Sequence, residues 1–147
     1  MPIKNYTTKI DVYTSLGEIQ GALAKAGAVK MMIKYDGSGT PVSLAFGLNI
    51  GGNNIAYILP VNADGVAAVL SKQKVKADKA QVQRIAWRNI RDWVLAQLAL
   101  IEAGNVSADE VFLPYMANNS GATLYQLVKD GRLALPDYGG LNNKEAK

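Results

Sequence analysis

The sequence predicts an α+β fold, a small sheet built early in the chain and followed by helices, and three patterns carry that expectation. Apolar residues alternate with polar or small ones over about 28–35, 42–50 and 55–61, the period of half-buried strands. From about Asp78 to Ala103 the period lengthens to that of a helix. Asp36-Gly37-Ser38-Gly39-Thr40-Pro41 and Gly51-Gly52-Asn53-Asn54 are turn signals, placed to fold successive strands back on one another.

Taken in order, residues 6–12 alternate Tyr6, Thr8, Ile10 and Val12 with Thr7, Lys9 and Asp11, and read as a first strand. Ser15-Leu16-Gly17-Glu18 has the form of a helix capping box. Leu16, Ile19, Leu23 and Ala26 follow at helical spacing until Gly27 ends the helix. The next strand sets Val29, Met31, Ile33 and Tyr35 against Lys30, Met32 and Lys34. The third strand is the cleanest, with Val42, Leu44, Phe46, Leu48 and Ile50 on one face and Ser43, Ala45, Gly47 and Asn49 on the other. One sheet face is therefore core and the other shallow, open either to solvent or to something lying across it. A fourth strand at 55–61 carries Ile55, Tyr57, Leu59 and Val61, and Asn62 caps a short helix from about Ala63 to Leu70.

The long helix from Asp78 to Ala103 should pack on the sheet through Val82, Ile85, Ala86, Ile90, Trp93 and Leu100. Arg84, Arg88 and Arg91 fall on the opposite side. From Trp93 to Ile101 the helix is apolar nearly all round, so Leu95 and Leu98, which continue the arginine face, should meet the carboxy-terminal segment or another subunit; a homo-oligomer is expected. Ser107-x-x-Glu110 opens a shorter helix, Thr123 to Asp130 forms a last one ended by Gly131, and one domain over 1–136 gives way to a flexible polar tail at 137–147.

With 147 residues, 49% hydrophobic and 19% charged, the chain has the composition of one globular domain. It contains neither cysteine nor histidine. Thiolate metal sites, Cys–His and Ser–His–Asp catalysis and zinc hydrolysis therefore fall away, and only carboxylate or lysine chemistry would remain for an enzyme. A non-enzymatic role without cofactor or metal is expected. No stretch approaches the roughly 20 apolar residues that span a bilayer, so a cytoplasmic protein with no membrane partner is expected.

Charge is concentrated. Segment 71–91 holds Lys72, Lys74, Lys76, Lys79, Arg84, Arg88 and Arg91 against the single acid Asp78, a net +6 that exceeds the +4 of the whole chain. Arg84, Arg88 and Arg91 stand at i, i+4 and i+7, sharing one helical face. Such a cluster points to an anionic partner, although an arginine stripe is also the ordinary dress of a solvated helix face.

The combination Ala86-Trp87-Arg88, Asp92-Trp93, Ala96-Gln97-Leu98-Ala99-Leu100-Ile101-Glu102 and Val111-Phe112-Leu113-Pro114-Tyr115-Met116, preceded by Gly27 and the strand ending Tyr35-Asp36, resembles a family of small uncharacterised bacteriophage and prophage proteins across most of residues 3–135. The resemblance implies a viral accessory protein working in a bacterial cytoplasm, in DNA metabolism or against host defence. It brings no catalytic residues with it.

Two function classes follow. A ligand-capturing protein would hold a small phosphorylated, nucleotide-type molecule with Arg84, Arg88, Arg91, Lys76 and Lys79, while Trp87 or Tyr57 stacks a base. A nucleic-acid binder would instead run the basic strip along a DNA or RNA backbone. A third class, an inhibitor whose arginines meet an acidic host protein, uses the same residues. One compact cluster in an otherwise slightly acidic chain favours the small-ligand class.

Overall fold

The computed structural model describes residues 1–132, so the tail expected at 137–147 lies outside the described residues. The chain is α+β: helix α1 (Val12–Lys25) precedes three strands, β1 (Lys30–Tyr35), β2 (Pro41–Ile50) and β3 (Asn53–Ile58). Helices α2 (Ala63–Lys72), α3 (Lys79–Glu102), α4 (Ala108–Val111) and α5 (Leu124–Lys129) follow, with a 3-10 turn at Leu113–Tyr115.

The strands pair antiparallel in the order β1-β2-β3. Register sets Met31 against Phe46 and Ile33 against Leu44 on one side, and Phe46 against Tyr57 and Leu48 against Ile55 on the other, so the apolar residues share a face as their alternation requires. Gly51 and Gly52 both hold positive φ, 59° and 89°, which is the backbone of a two-residue hairpin turn that a Cβ would oppose. Phe46 stacks on Tyr57 with ring centroids 5.3 Å apart, and Phe112 meets Phe46 edge-on at 5.1 Å. The opposite face, with Lys30, Met32, Ala45 and Ala56, is left uncovered by the described residues.

Residues 6–12 do not form the expected strand. The segment turns at Asn5, whose φ is 66°, and runs along the first half of α3. Gln81 Nε2 donates to the carbonyl oxygens of Tyr6 (3.1 Å) and Thr8 (2.9 Å), and Asn5 Nδ2 donates to Asn89 and Asp92. Side chains of α3 thus take backbone and amide groups that a sheet neighbour would have satisfied. Helix α1 also begins earlier than Ser15: Asp11 is its N-cap, accepting from Tyr13 N. Ser15, instead of capping, is fully buried inside the helix.

Helix α3 packs along α1, and its buried stripe is Gln83, Ile85, Ala86, Trp87, Val94 and Leu98. That stripe lies nearer the arginines than the expected one, while Leu100 is left 44% exposed. Trp87 is fully buried and donates its indole N–H to the Pro41 carbonyl at 3.0 Å, tying α3 to the start of β2. Leu98 is buried and Leu95 half-buried against the core of this same chain. Leu95 and Leu98 thus join the same core as Phe112 of the carboxy-terminal segment, the first of the two coverings expected for them.

Candidate functional site

Asp78 caps α3, its carboxylate accepting from Gln81 N at 2.8 Å. The helix that starts there sets Lys79 and Gln83, four residues apart, and Ala80 and Arg84, likewise four apart, along one side of its first two turns. Opposite them lie the start of α1 and the β1–β2 loop. Between these elements is a hollow of about 380 Å³, lined among others by Tyr13, Ser38, Thr40, Lys79, Gln83 and Arg84. A second hollow of about 330 Å³ adjoins it, lined by Asp36, Val42, Val61, Asn62 and Asp64 and again by Lys79 and Gln83. The shared pair makes the two hollows parts of one cleft.

The loop that walls the cleft is held by its own polar groups. Asp36 Oδ1 accepts from Ser38 N (2.8 Å), Ser38 Oγ (2.6 Å) and Thr40 N (3.0 Å). The Ser38 hydroxyl bond, followed by the two backbone bonds, holds the Asp36 carboxyl below its ordinary pKa. Tyr13, 55% exposed, donates its hydroxyl to the Gly39 carbonyl at 3.3 Å and so ties the loop to α1.

Gln83 is the unusual member. Only 8% of it is exposed, its Oε1 is buried, and that oxygen has no hydrogen-bond partner among the described residues. A buried amide left unpaired costs stability, on the order of 1–3 kcal/mol. Arg84 uses its Nε on Gln81 Oε1 (2.7 Å), which orients the guanidinium and leaves its outer N–H groups without a carboxylate partner among the described residues. Lys79 is exposed, and it too makes no ion pair among the described residues. Two cations without ion pairs among the described residues and the first turn of a helix converge on this hollow, with Asp11 as the acid in its lining, an arrangement of net positive character that suits an anion.

The other two arginines of the stripe are engaged elsewhere. Arg88 Nη1 lies 3.1 Å from Glu18 Oε2, and Arg91 Nε donates to the same oxygen. Arg91 Nη1 also donates to Asp92 Oδ1 at 3.0 Å. Glu18, one turn from Ser15 on α1, thus clasps α3 to α1. Partial burial works against the charge of Arg91, but its bonds to Asp92 and Glu18 outweigh that and raise its pKa. Burial likewise opposes ionisation of Asp92, and bonds from Asn5 and Arg91 together with the Lys4 charge outweigh it and lower its pKa.

Of the residues singled out from the sequence, Lys79 and Arg84 are brought together. Arg88 and Arg91 face Glu18 instead of an open surface, and Lys76 borders a separate depression beside Leu70, Val75 and Val82. Trp87 and Tyr57 are fully buried and present no ring face for stacking. Burial, and after it the charge of Asp109, raises the pKa of Tyr57, whose hydroxyl has no partner among the described residues. Sequence reasoning overlooked Gln83 and Tyr13, although the i, i+4 pairing of Lys79 with Gln83 was available as a signal. No helix among the described residues is long and apolar enough to cross a membrane, and no cluster of acids there is suited to a metal ion. Compared with protein-family models, curated proteins and solved structures, the chain shows no match.

Proposed function

We propose that the protein is a non-enzymatic binder of a small phosphorylated ligand, held at the amino-terminal end of α3 by Arg84 and Lys79. The observation that carries this reading is the contrast in neutralisation along one helix: Arg88 and Arg91 have carboxylate partners, whereas Arg84 and Lys79 have none among the described residues and border a cleft. Arginine's planar fork suits bidentate contact with a phosphate, and Ser38 and Thr40, whose hydroxyls are engaged within the loop, form the facing wall. A cleft of this size lies in the range of small-molecule sites. The setting we propose is the one implied by the phage resemblance, a bacterial cytoplasm in which a nucleotide-type host defence signal is sequestered.

Binding to DNA or RNA is the second reading, favoured by one observation: Lys72, Lys74 and Lys76 are all exposed on the segment that leads to α3. The two readings separate in one experiment. Protein purified from defence-active bacteria is heated, and the released small molecules are identified by mass spectrometry, while retention on single- and double-stranded DNA is followed against salt. A stoichiometric phosphorylated compound, lost when Lys79→Ala and Arg84→Ala are combined, supports the small-ligand reading. No released ligand together with steeply salt-dependent DNA retention would replace it with the polymer reading.

A further inference from the structure

The cleft is polarised, and its second hollow has the opposite character to the first. Asp36 and Asp64 line that hollow against Lys79, so it is net acidic, where the first hollow sets Lys79 and Arg84 against Asp11 and is net basic. Asp36 spends only Oδ1 on its loop; its Oδ2 has no partner among the described residues, and neither has the exposed Asp64 carboxylate. Ionised carboxylates accept hydrogen bonds and donate none. A phosphate would be repelled from this wall, whereas an N–H donor would be held by it. Val42, Val61 and Ala63 supply apolar surface around these acceptors.

Gln83 stands between the two hollows and is the independent sign that something polar belongs there. It is more than nine-tenths buried with its amide oxygen unpaired, and neither amide atom takes part in a hydrogen bond among the described residues. The terminal amide turns over about its last torsion at little cost, so it offers a donor and an acceptor side by side in either order. That pair matches the edge of an aminated nucleobase: glutamine reads adenine through its amino group and adjacent ring nitrogen, and a carboxylate accepts from the amino group of cytosine.

Resting on the phosphate reading above, we infer that the ligand is a nucleotide whose base carries an exocyclic amino group, the phosphate lying at Arg84 and Lys79 and the amino edge entering the second hollow against Gln83, Asp36 and Asp64. The amide can turn to meet either kind of edge, but Asp36 and Asp64 only accept, so bases that present a carbonyl in place of the amino group set an acceptor against these carboxylates and are rejected.

Calorimetric titration with AMP against IMP, and with CMP against UMP, isolates the base, since each pair carries the same phosphate. At least one aminated member should bind about tenfold or more tightly than its oxo counterpart. Asp64→Asn, at an exposed position, should shrink that ratio, and Gln83→Met, which fills the same space without the amide, should weaken binding of the aminated member, with thermal unfolding confirming that both variants are folded. Arg84→Ala should weaken the aminated and oxo members by a similar factor and leave the ratio unchanged. Equal affinities within both pairs, a ratio indifferent to Asp64→Asn, or binding of the aminated member indifferent to Gln83→Met, would overturn the inference. If none of the nucleotides binds but inorganic pyrophosphate does, in an Arg84-dependent way, the base reading falls and the phosphate reading stands. If pyrophosphate fails as well, both fall.

Discussion

Arg88 and Arg91 stand on the same side of α3 as Arg84, a turn or two further along, and their fates differ. The later pair meets Glu18 from α1, and Arg91 reaches Asp92 besides, so their charge is spent on holding two helices together. Arg84 is oriented by a neutral amide, Gln81, and with Lys79 borders open space. Helical spacing says which side chains share a face; the neighbour opposite decides whether that face is a joint or a site. Here α1 starts alongside the first turns of α3 with Asp11 and Tyr13, and presents Glu18 between one and two turns further on. The change from site to joint along α3 follows the position of that one carboxylate.

The contrast can be broken at several points. The largest effect belongs to Trp87, which links the two regions: Trp87→Ala removes a fully buried ring and its bond to Pro41, and should cost about 3–5 kcal/mol in chemical denaturation. A loss below about 1 kcal/mol would show a ring free to leave the core, as stacking on a ligand requires. Glu18→Ala leaves two guanidiniums without their shared acceptor and should cost about 1 kcal/mol, because the pairs are partly exposed, with ligand affinity little changed. Affinity falling further than stability would place Arg88 and Arg91 back in the site.

Gln83→Met should move the other way, raising stability by about 1 kcal/mol because the unpaired buried oxygen is gone. A destabilised variant would mean that the amide is already satisfied in solution and is not held open for a ligand. The acid limb of the stability curve tests the joint separately. Asp92 has a lowered pKa when folded, so its contribution is present above the ordinary carboxylate value of about 3.9 and is lost as pH falls through the lower folded value. Asp92→Asn should therefore lie below the parent protein near neutrality and converge with it below about pH 4, read from urea midpoints against pH. The smallest stability effect is predicted for Arg84→Ala, within about 0.5 kcal/mol, since it has no ion pair to lose. Its signature is lost anion binding without lost stability.

Much of the fold was legible because the local chemistry was unambiguous. The Leu44, Phe46 and Leu48 alternation, the Gly51-Gly52 turn, and the caps at Asn62 and Ser107 each express a preference that the surrounding structure does not oppose. Residues 6–12 misled because their alternation specifies an extended chain but not its neighbour, and Gln81 and Asn89 of α3 supplied one. The stripe on α3 was placed too far from the arginines for a related reason. Trp87, Val94 and Leu98 form one continuous apolar strip, but a helix apolar on so many sides offers more than one, and only the approach of α1 chooses among them.

The sequence by itself determined the class of fold, the antiparallel hairpins, the lack of thiol and imidazole chemistry, and the concentration of cations on the approach to α3 and along its first half. Those properties depend on composition and on interactions within a few residues, which travel with the chain. Only the tertiary structure decided which cations are neutralised, that Trp87 and Tyr57 are core, and that Gln83 is buried unpaired between a basic and an acidic hollow. Each of these depends on groups far apart in sequence, Glu18 against Arg88 and Arg91 or Asp36 against Gln83, and an electrostatic or hydrogen-bonding outcome is fixed by distances that no local pattern records.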